Sequence, residues 1–365
     1  ELAGQSHSLL PKRPPNEPRA KAMISLFMQG GPSQIDLCDP KPMLDEWAGR
    51  DIPVKLKYDD AAGASAQVLP SSWKFKKHGQ SGIDFSELLP GFGEIADELC
   101  LIRSMHTGVN NHGQSIHALN SGRTVSGRPS LGSWITYGLG TVNENLPAFM
   151  VLLDEKKRPH GGNRNWGTGF MPATYQGVEV APGKESIPNL RPADSAASQR
   201  QKLDLLKRLN KEHAAERPYQ SELEARINAY EMAFRMQSEV PQLMDVNKEP
   251  AAVRSAYGIG NRATDSFGRQ CLLARRMAEA GVRFIELNYG NWDQHRNLKA
   301  GLERNCQATD QPIAALLADL EKRDMLKDTL VMWGGEFGRT PHAQNGDGRD
   351  HNNKGYTMWM AGGGV

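Results

Sequence analysis

Short apolar runs recur along the chain, and most of them are followed by a glycine, proline or acidic residue. Runs of this length bounded by turn residues are typical of buried strands in a parallel sheet. The sequence therefore predicts core strands at residues 23–28, 100–102, 149–153, 282–287, 330–333 and 356–360.

Helical periodicity alternates with these strands. Residues 88–99 have helical spacing, and residues 266–280 predict a helix that ends at Gly281. A further helix carries one apolar face, formed by Ile313, Leu316, Leu317 and Leu320. Helices that alternate with short apolar strands indicate an α/β fold with a mainly parallel sheet and helices on both faces.

Three stretches depart from this rhythm. Residues 1–20 are rich in proline and predict an extended N-terminal arm, whereas residues 45–84 show no clear periodicity. Residues 155–265 change to glycine- and proline-rich loops and then to charged, helix-favouring sequence. One amphipathic stripe in this stretch is formed by Leu223, Ile227, Tyr230 and Phe234. We therefore expect a single domain over residues 21–365 with a helical insertion at about 155–265, an independent domain being the alternative.

The two ends of the chain carry their own expectations. The chain begins at Glu1 instead of methionine, from which we expect that an export signal has been removed. It ends at Gly362-Gly363-Gly364-Val365, directly after a predicted strand, and we expect the domain to be incomplete there. No apolar stretch approaches the roughly 20 residues that a membrane helix needs, so we expect no membrane span.

Composition excludes several function classes. The 365 residues include 44 Lys and Arg against 42 Asp and Glu, so a strong basic field is absent and we expect no nucleic-acid partner. The four cysteines form no C-x-x-C pair, which argues against a zinc knuckle or a disulfide scaffold. No nucleophile elbow, phosphate loop or dinucleotide fingerprint is present. The oligomeric state stays open.

Acidic residues and histidines follow the predicted strands. Ligands of open parallel sheets bind at the carboxyl ends of the strands, where these side chains are expected to meet. The candidate metal ligands are Asp36, Asp293, His295, Glu336 and His351. Mixed oxygen and nitrogen ligands suit zinc, manganese or iron, while an all-carboxylate set favours calcium or magnesium. The sequence leaves the identity of the metal open.

Each candidate also has a simpler interpretation. Asp293 and His295 are compatible with a hydrogen-bonded loop pair. Asp350 is predicted to orient the ligand His351 without binding the metal itself, or else to begin an Asx turn. Glu336 alone is compatible with a simple ion pair to Arg339. Coincidence at several strand ends is what favours the metal site.

Catalytic and anion-binding candidates lie in polar or glycine-bearing loops. His112 is predicted in a polar turn, where an imidazole can ligate metal, move protons or attack phosphorus; a turn histidine bonded to backbone is the alternative. Arg123, Arg128 and Arg339 are the candidate anion clamps, because guanidinium pairs with sulfate or phosphate through parallel hydrogen bonds. Five other histidines are expected at the surface: His7, His78, His160, His213 and His342.

Four segments carry a family resemblance: residues 30–36, with 39–42, then 102–106, 292–295 and 335–341. They resemble the bacterial family catalogued as domain of unknown function 1501 over nearly the whole chain. That family is similar to sulfatases and belongs by resemblance to the alkaline-phosphatase-like superfamily. The resemblance implies a metal-bearing α/β core, hydrolysis of sulfate or phosphate esters, and a periplasmic or extracellular location.

The same resemblance implies residue roles. Glu336 stands at the metal-binding acid of the sulfatase strand and turn, and Phe337 replaces the histidine that follows it there. Counting back from Arg123, in a segment that resembles the sulfatase signature, places His112 at the nucleophile position. His112 or Ser115 would then handle the nucleophile or proton transfer.

The leading hypothesis is a metal-dependent hydrolase of sulfate or phosphate esters, acting on a small-molecule or glycan ester. Its cofactor would be a divalent metal, namely zinc, calcium, magnesium or manganese. The rival is a non-catalytic surface or carbohydrate-binding protein on a decayed hydrolase scaffold. The rival is favoured by Phe337, His112 and Gln29, which stand where sulfatases have ligands or the nucleophile.

Overall fold

The structure is a computed structural model that describes residues 9–14, 16–53, 64–154, 158–181, 187, 194–216 and 221–365. The side chains of residues 64, 214, 221–227 and 238 are outside that description. Within it, residues 9–14 and 16–20 have no regular secondary structure, and the amide of Lys12 donates to the carbonyl of Leu139 at 3.0 Å.

The strands and helices alternate along the chain. The strands are β1 (Ala22–Met28), β2 (Ala64–Val68), β3 (Phe75–His78), β4 (Ile83–Ser86), β5 (Cys100–Met105), β6 (Phe149–Leu152), β7 (Val178–Val180), β8 (Phe284–Tyr289), β9 (Thr329–Gly334), β10 (Gly338–Gln344), β11 (Gly348–Asn352) and β12 (Tyr356–Ala361). The helices are α1 (Gln34–Leu37), α2 (Met43–Glu46), α3 (Pro90–Glu94), α4 (His112–Ser121), α5 (Leu131–Leu139), α6 (Ala196–Ala215), α7 (Ser221–Met244), α8 (Ala251–Ala256), α9 (Asp265–Glu279) and α10 (Leu298–Lys322). Single 3₁₀ turns lie at Ala96–Glu98, Gly162–Trp166, Ala173–Tyr175, Val246–Lys248 and Leu326–Asp328.

A central sheet organises the fold. In the described residues it has seven strands in the order β5-β12-β9-β1-β8-β6-β7. The five strands from β9 to β7 run parallel to one another, and β12 is antiparallel to both of its neighbours, β9 and β5. Therefore β5 runs in the same direction as β9, and the carboxyl ends of β5, β9, β1, β8 and β6 lie along one edge.

The sheet buries both of its faces. On one face Ile24, Leu26 and Met28 of β1 join the main core, to which α9 and α10 contribute their apolar sides. On the other face Met23 packs in a smaller cluster with Phe149 and Phe284, and Ile135 of α5 packs against it. Full burial of each such side chain contributes about 1.5–3 kcal/mol. Helices therefore cover both faces, as the sequence predicted.

A small antiparallel sheet extends the edge that carries the strand ends. Its order is β11-β10-β2, and β10 begins four residues after β9 ends. Arg339 in β10 pairs in register with His351 in β11. The small sheet thereby brings residues from the end of the chain to the carboxyl ends of β1, β8 and β9.

All six predicted core strands are confirmed with shifts of up to three residues at their ends. β10 and β11 were not predicted, because both are largely buried but consist mainly of polar residues. The predicted polar turn at His112 is wrong: Asn111 caps α4 by accepting a hydrogen bond from the amide of Gln114, and His112 begins the helix.

The predicted insertion contains the two long helices α6 and α7. Tyr230 and Phe234 lie half-buried in α7, whereas the side chains of Leu223 and Ile227 fall outside the described residues. Among the described helices, none combines the length and apolar character needed to cross a lipid bilayer.

Candidate metal centre

Four side chains from distant parts of the chain meet at the carboxyl edge of the sheet. Asp293 and His295 lie on the loop after β8, His112 is the first residue of α4 and follows β5, and His351 lies in β11. One nitrogen from each imidazole and one carboxylate oxygen of Asp293 lie within 4.8 Å of one another. Ligand atoms on opposite sides of one ion lie up to about 4–5 Å apart, because metal–ligand bonds are about 2.0–2.5 Å long. The group can therefore hold a metal ion.

All three imidazoles turn Nε2 toward Asp293. The nitrogen of His112 lies 3.2 Å from Oδ2, and those of His295 and His351 lie 2.9 and 3.2 Å from Oδ1. The Nε2 atom of His112 is buried and makes no hydrogen bond within the described structure. A buried nitrogen that faces a carboxylate without bonding to it fits a metal ion that would lie between the two groups.

The other ring nitrogen of each histidine faces away from the cluster and meets an acceptor. The pairs are His112 Nδ1 with Glu336 Oε1 at 2.6 Å, His295 Nδ1 with Gln344 Oε1 at 2.5 Å, and His351 Nδ1 with the carbonyl of Asn110 at 2.7 Å. A neutral imidazole that donates from Nδ1 keeps the lone pair of Nε2 free. The outer partners thus fix the tautomer that a metal ligand requires.

The charge balance of the metal-free cluster follows from its contacts. Burial lowers the pKa of His112, but the carboxylates of Asp293 and Glu336 outweigh burial and raise it to about 9. Asp293 raises the pKa of His295, while burial lowers that of His351. Burial opposes ionisation of Asp293, yet the surrounding imidazoles and Arg339 hold its pKa well below the usual range. In the metal-free protein His112 is therefore a cation at neutral pH, protonated on both ring nitrogens. A bound metal must displace the proton on Nε2.

The guanidinium of Arg339 positions the carboxylate of Asp293. Its side chain is fully buried, and Nη2 donates to Asp293 Oδ1 at 2.6 Å and to the carbonyl of Gly30. Nε donates to the carbonyl of Gly31 at 3.0 Å, and Nη1 donates to that of Arg349 at 2.9 Å. Each nitrogen of this predicted anion clamp is therefore engaged by the protein itself, and the guanidinium positions Asp293.

Glu336 orients a ligand instead of joining the four-residue group. Its two oxygens accept the amide of Gly30 at 3.0 and 3.1 Å, and one of them also accepts from His112. Gly30 has a φ of +118°, and a Cβ at this position would lie 2.5 Å from the backbone nitrogen of Asp293. Glycine is thus required where β1 ends, because the turn passes against the loop that carries Asp293.

Asp36, predicted as a metal ligand, lies outside the cluster. Its oxygens accept from Arg349 at 2.8 and 3.1 Å and from the hydroxyl of Ser33 at 2.5 Å, and both charged side chains are fully buried. The physical reason is that Arg349, which lies in β11, supplies a fixed counter-charge that a sequence pattern does not reveal.

Three further candidates also lie apart from the ligands. Ser115 donates its hydroxyl to the carbonyl of Val109 at 2.8 Å, so this hydroxyl is held by the backbone. Arg123 is exposed beyond the carboxyl end of α4, about 15 Å along the helix from His112. Asp350 accepts the backbone amide of His351 at 2.8 Å and does not contact its ring.

Sequence reasoning missed several residues of the site. Phe337 is buried against the rings of His112 and His351, with centroids 4.9 and 4.3 Å away. His160, expected at the surface, is exposed but stacks on His112 at 5.4 Å. His342, also expected at the surface, is buried because β10 runs between β2 and β11. No local sequence signal identifies these contacts.

Two cavities lie near the strand-end edge of the described structure. One, of about 280 Å³, includes Asp293 in its wall and continues along the first turns of α10. The other, of about 530 Å³, lies at the far end of α4 and is lined by Trp134, Phe170 and Arg128 among others. The first is polar and adjoins the ligands, whereas the second carries exposed aromatic rings.

Comparison with known proteins identifies one family and several solved structures of low sequence identity. The family DUF1501, described as a protein of unknown function, matches residues 20–365. No curated protein matches the chain.

Solved structures resemble the chain at low sequence identity. A magnesium-bound mutant of the alkaline phosphatase from the Antarctic bacterium TAB5 is 10% identical with a TM-score of 0.38, covering 94% of this chain and 92% of its own. A zinc complex of the C-terminal periplasmic domain of EcEptC from Escherichia coli is 7% identical with a TM-score of 0.37, covering 96% and 75%. The sulfatase PsFucS1 from Pseudoalteromonas sp. is 12% identical with a TM-score of 0.30, covering 96% and 64%.

Proposed function

The chain belongs to the DUF1501 family, and we propose that it is a zinc-dependent hydrolase of phosphate or sulfate esters. The observation that carries the proposal is the convergence of three imidazole Nε2 atoms on the Asp293 carboxylate. Imidazole nitrogens with one carboxylate suit zinc, whereas calcium and magnesium prefer sets of oxygen ligands.

The chain's own residues have distinct tasks in this proposal. Asp293 and the three histidines would hold the ion, Glu336 fixes the ring of His112, and Arg339 fixes the carboxylate. Zinc would supply Lewis-acid polarisation of an ester oxygen, which requires a coordination position in addition to these protein ligands. The hydroxyl of Ser115, the predicted nucleophile, is held by the carbonyl of Val109, so we propose water as the attacking group.

The cavity whose wall includes Asp293 is the proposed entry for an ester. We propose a small-molecule or glycan ester as the substrate and a periplasmic or extracellular location. Cys38, Cys271 and Cys306 are buried free thiols, and Cys100 is an exposed free thiol, so the described cysteines do not bear on the location.

The test is metal-dependent turnover. Zinc-loaded protein is assayed with an aryl phosphate and an aryl sulfate, beside Asp293→Asn and His295→Ala. Both variants are expected to lose bound zinc and at least about 100-fold in kcat/KM, because each removes a ligand. The matched control is His213→Ala, an exposed histidine on α6, which is expected to keep both zinc and turnover. Ester turnover that persists in both ligand variants would overturn the proposal.

A second candidate function, carbohydrate binding without catalysis, is favoured by the aromatic cavity. Trp134 is 46% exposed and Phe170 is 69% exposed, and their rings pack edge to face with centroids 6.0 Å apart. Exposed aromatic patches mark interaction surfaces. A folded wild type that binds no metal but binds a polysaccharide, with loss of binding in Trp134→Ala, would favour this candidate.

A further inference from the structure

The cavity beside the cluster has an unusual distribution of charge. Arg296 and Arg304 lie in its wall with Asp293, and both arginines are exposed. Within the described part of the chain, neither side chain makes a hydrogen bond or an ion pair. Arg339 and Arg349, by contrast, are buried and paired with carboxylates. The cavity therefore presents two cationic groups whose hydrogen-bond donors are available to a ligand.

The helix that forms part of this wall adds to the positive potential. α10 begins at Leu298 and runs for 25 residues, and Asn297, Ala300 and Gly301 line the cavity. At the start of this helix the amide of Asn297 donates to the carboxylate of Asp347 at 2.9 Å and that of Leu298 donates to the carbonyl of Asp347 at 3.3 Å, and the helix dipole is positive at this end. Anionic groups bind readily at such a position.

A buried side chain in the same wall also lacks a partner. Gln294 is only 4% exposed, and its Nε2 donates to the carbonyl of Asn291 at 2.6 Å. This bond fixes the orientation of the amide, because a carbonyl accepts only from the nitrogen. The oxygen Oε1 is left without a hydrogen-bond partner in the described structure. It can accept only from a donor that the chain does not supply, such as a hydroxyl of a ligand.

We propose that this cavity binds the dianionic group of a phosphate monoester and that Arg296 and Arg304 are its anion-binding residues. The inference rests on the proposed function and narrows its substrate class. A phosphate monoester carries close to two negative charges above its second pKa of about 6, whereas a sulfate ester is singly charged. Two guanidinium groups that make no ion pair in the described structure suit the dianion, to which each can donate parallel hydrogen bonds. An alcohol hydroxyl on the organic part of the ester would also satisfy Gln294.

The test compares two ligands that share an organic group and differ in charge. Binding of phenyl phosphate and phenyl sulfate is measured by calorimetry at pH 8 on zinc-free protein, where no turnover is expected, and KM is measured on zinc-loaded protein. Phenyl phosphate is expected to bind at least about tenfold more tightly. Arg296→Gln and Arg304→Gln are each expected to weaken phenyl phosphate about tenfold, the usual loss for a hydrogen bond to a charged group.

The matched control is Lys299→Gln. Lys299 is exposed in the first turn of α10, between Arg296 and Arg304 in the sequence, but it does not line the cavity. Lys299→Gln removes one positive charge, as each arginine variant does, and is expected to change the affinity for phenyl phosphate less than about threefold. Equal affinity for the two ligands, or unchanged affinity in both arginine variants, would overturn the inference.

The anion-binding site and the proposed function can fail separately, because calorimetry measures the affinity for the ligand and not its hydrolysis. Arginine-dependent preference for phenyl phosphate without hydrolysis would support the binding site and contradict the hydrolase. Zinc-dependent hydrolysis with unchanged KM in both arginine variants would support the hydrolase and overturn the assignment of Arg296 and Arg304.

Discussion

Asp36 and Asp293 follow neighbouring strands of the same sheet, yet their surroundings differ. Asp36 is fully buried and its oxygens are bound by Arg349 and Ser33. The side chain of Asp293 is 26% exposed, adjoins a cavity, and faces three imidazoles in addition to Arg339. The carboxylate of Asp36 is therefore inaccessible to an ion, whereas the carboxylate of Asp293 can reach one.

The difference shows what makes a buried carboxylate a ligand. A guanidinium is a permanent cation, so the charge of Asp36 is neutralised whether or not a metal is present. Imidazole titrates, and the proton that His112 holds near Asp293 can be exchanged for a metal ion. A carboxylate that faces histidines in addition to an arginine is therefore poised to bind metal, whereas one whose partners are an arginine and a hydroxyl stabilises the fold.

We expect the largest effect on stability from breaking the buried ion pair between Asp36 and Arg349. Asp36→Asn leaves Arg349 buried without its counter-charge, and we expect a loss of about 3–5 kcal/mol in the free energy of unfolding. Urea denaturation measures this loss, while zinc content is expected to stay unchanged. The control, Asp36→Leu with Arg349→Met, removes both charges and should recover most of the stability. Loss of zinc without loss of stability would instead make Asp36 a ligand.

Glu286 is a third acidic residue to compare with Asp36 and Asp293, because its described partner is an asparagine and not an arginine or a histidine. Glu286 in β8 accepts from Asn288 at 3.1 Å, and burial raises its pKa to about 7 from an ordinary value of 4.5. The folded protein thus binds more protons than the unfolded chain between pH 4.5 and 7. The contribution of Glu286 to stability is therefore full below pH 4.5 and declines as pH rises to 7, by on the order of 3 kcal/mol.

Glu286→Gln removes this titration while keeping the shape of the side chain. We expect the variant to be more stable than wild type at pH 8 and to lose the decline in unfolding free energy between pH 4.5 and 7. Denaturant unfolding at a series of pH values measures both. The same decline in wild type and variant would show that Glu286 is not the group responsible.

The smallest expected effect concerns the outer contact of a ligand. Gln344→Met removes the acceptor of His295 Nδ1 and leaves the four ligands in place. Loss of such a contact weakens metal affinity by about tenfold or more. Competition with a zinc chelator measures the change, and Gln201→Met on exposed α6 is the control. Unchanged affinity would show that the tautomer of His295 is fixed by another contact.

The sequence predicted the parts of the molecule that depend on local pattern. Apolar runs identified the six core strands, and the rule for strand ends directed attention to Asp293, His295 and His351. The ion pair of Asp36 depends on Arg349, which lies 313 positions later in the chain. No periodicity encodes a contact over such a separation.

Polar strands were equally hard to predict. β10 and β11 are largely buried although they consist mainly of polar residues, and their polar groups bond across the pair: Arg349 donates to the carbonyl of Thr340, and the hydroxyl of Thr340 accepts from the amide of Asp350. A pattern of apolar residues cannot mark such strands. For the same reason the burial of His342 and the orienting contact from Gln344 were missed, and Arg296 and Arg304 were not among the candidates.

Elemental analysis of zinc per chain tests the central claim most directly. The protein is purified without chelators and compared as wild type, Asp36→Asn and Asp293→Asn, with folding of each verified by circular dichroism. We predict about one zinc ion in the wild type, about one in Asp36→Asn, and none in Asp293→Asn. A folded wild type without zinc, or an Asp293→Asn variant that retains it, would contradict the account.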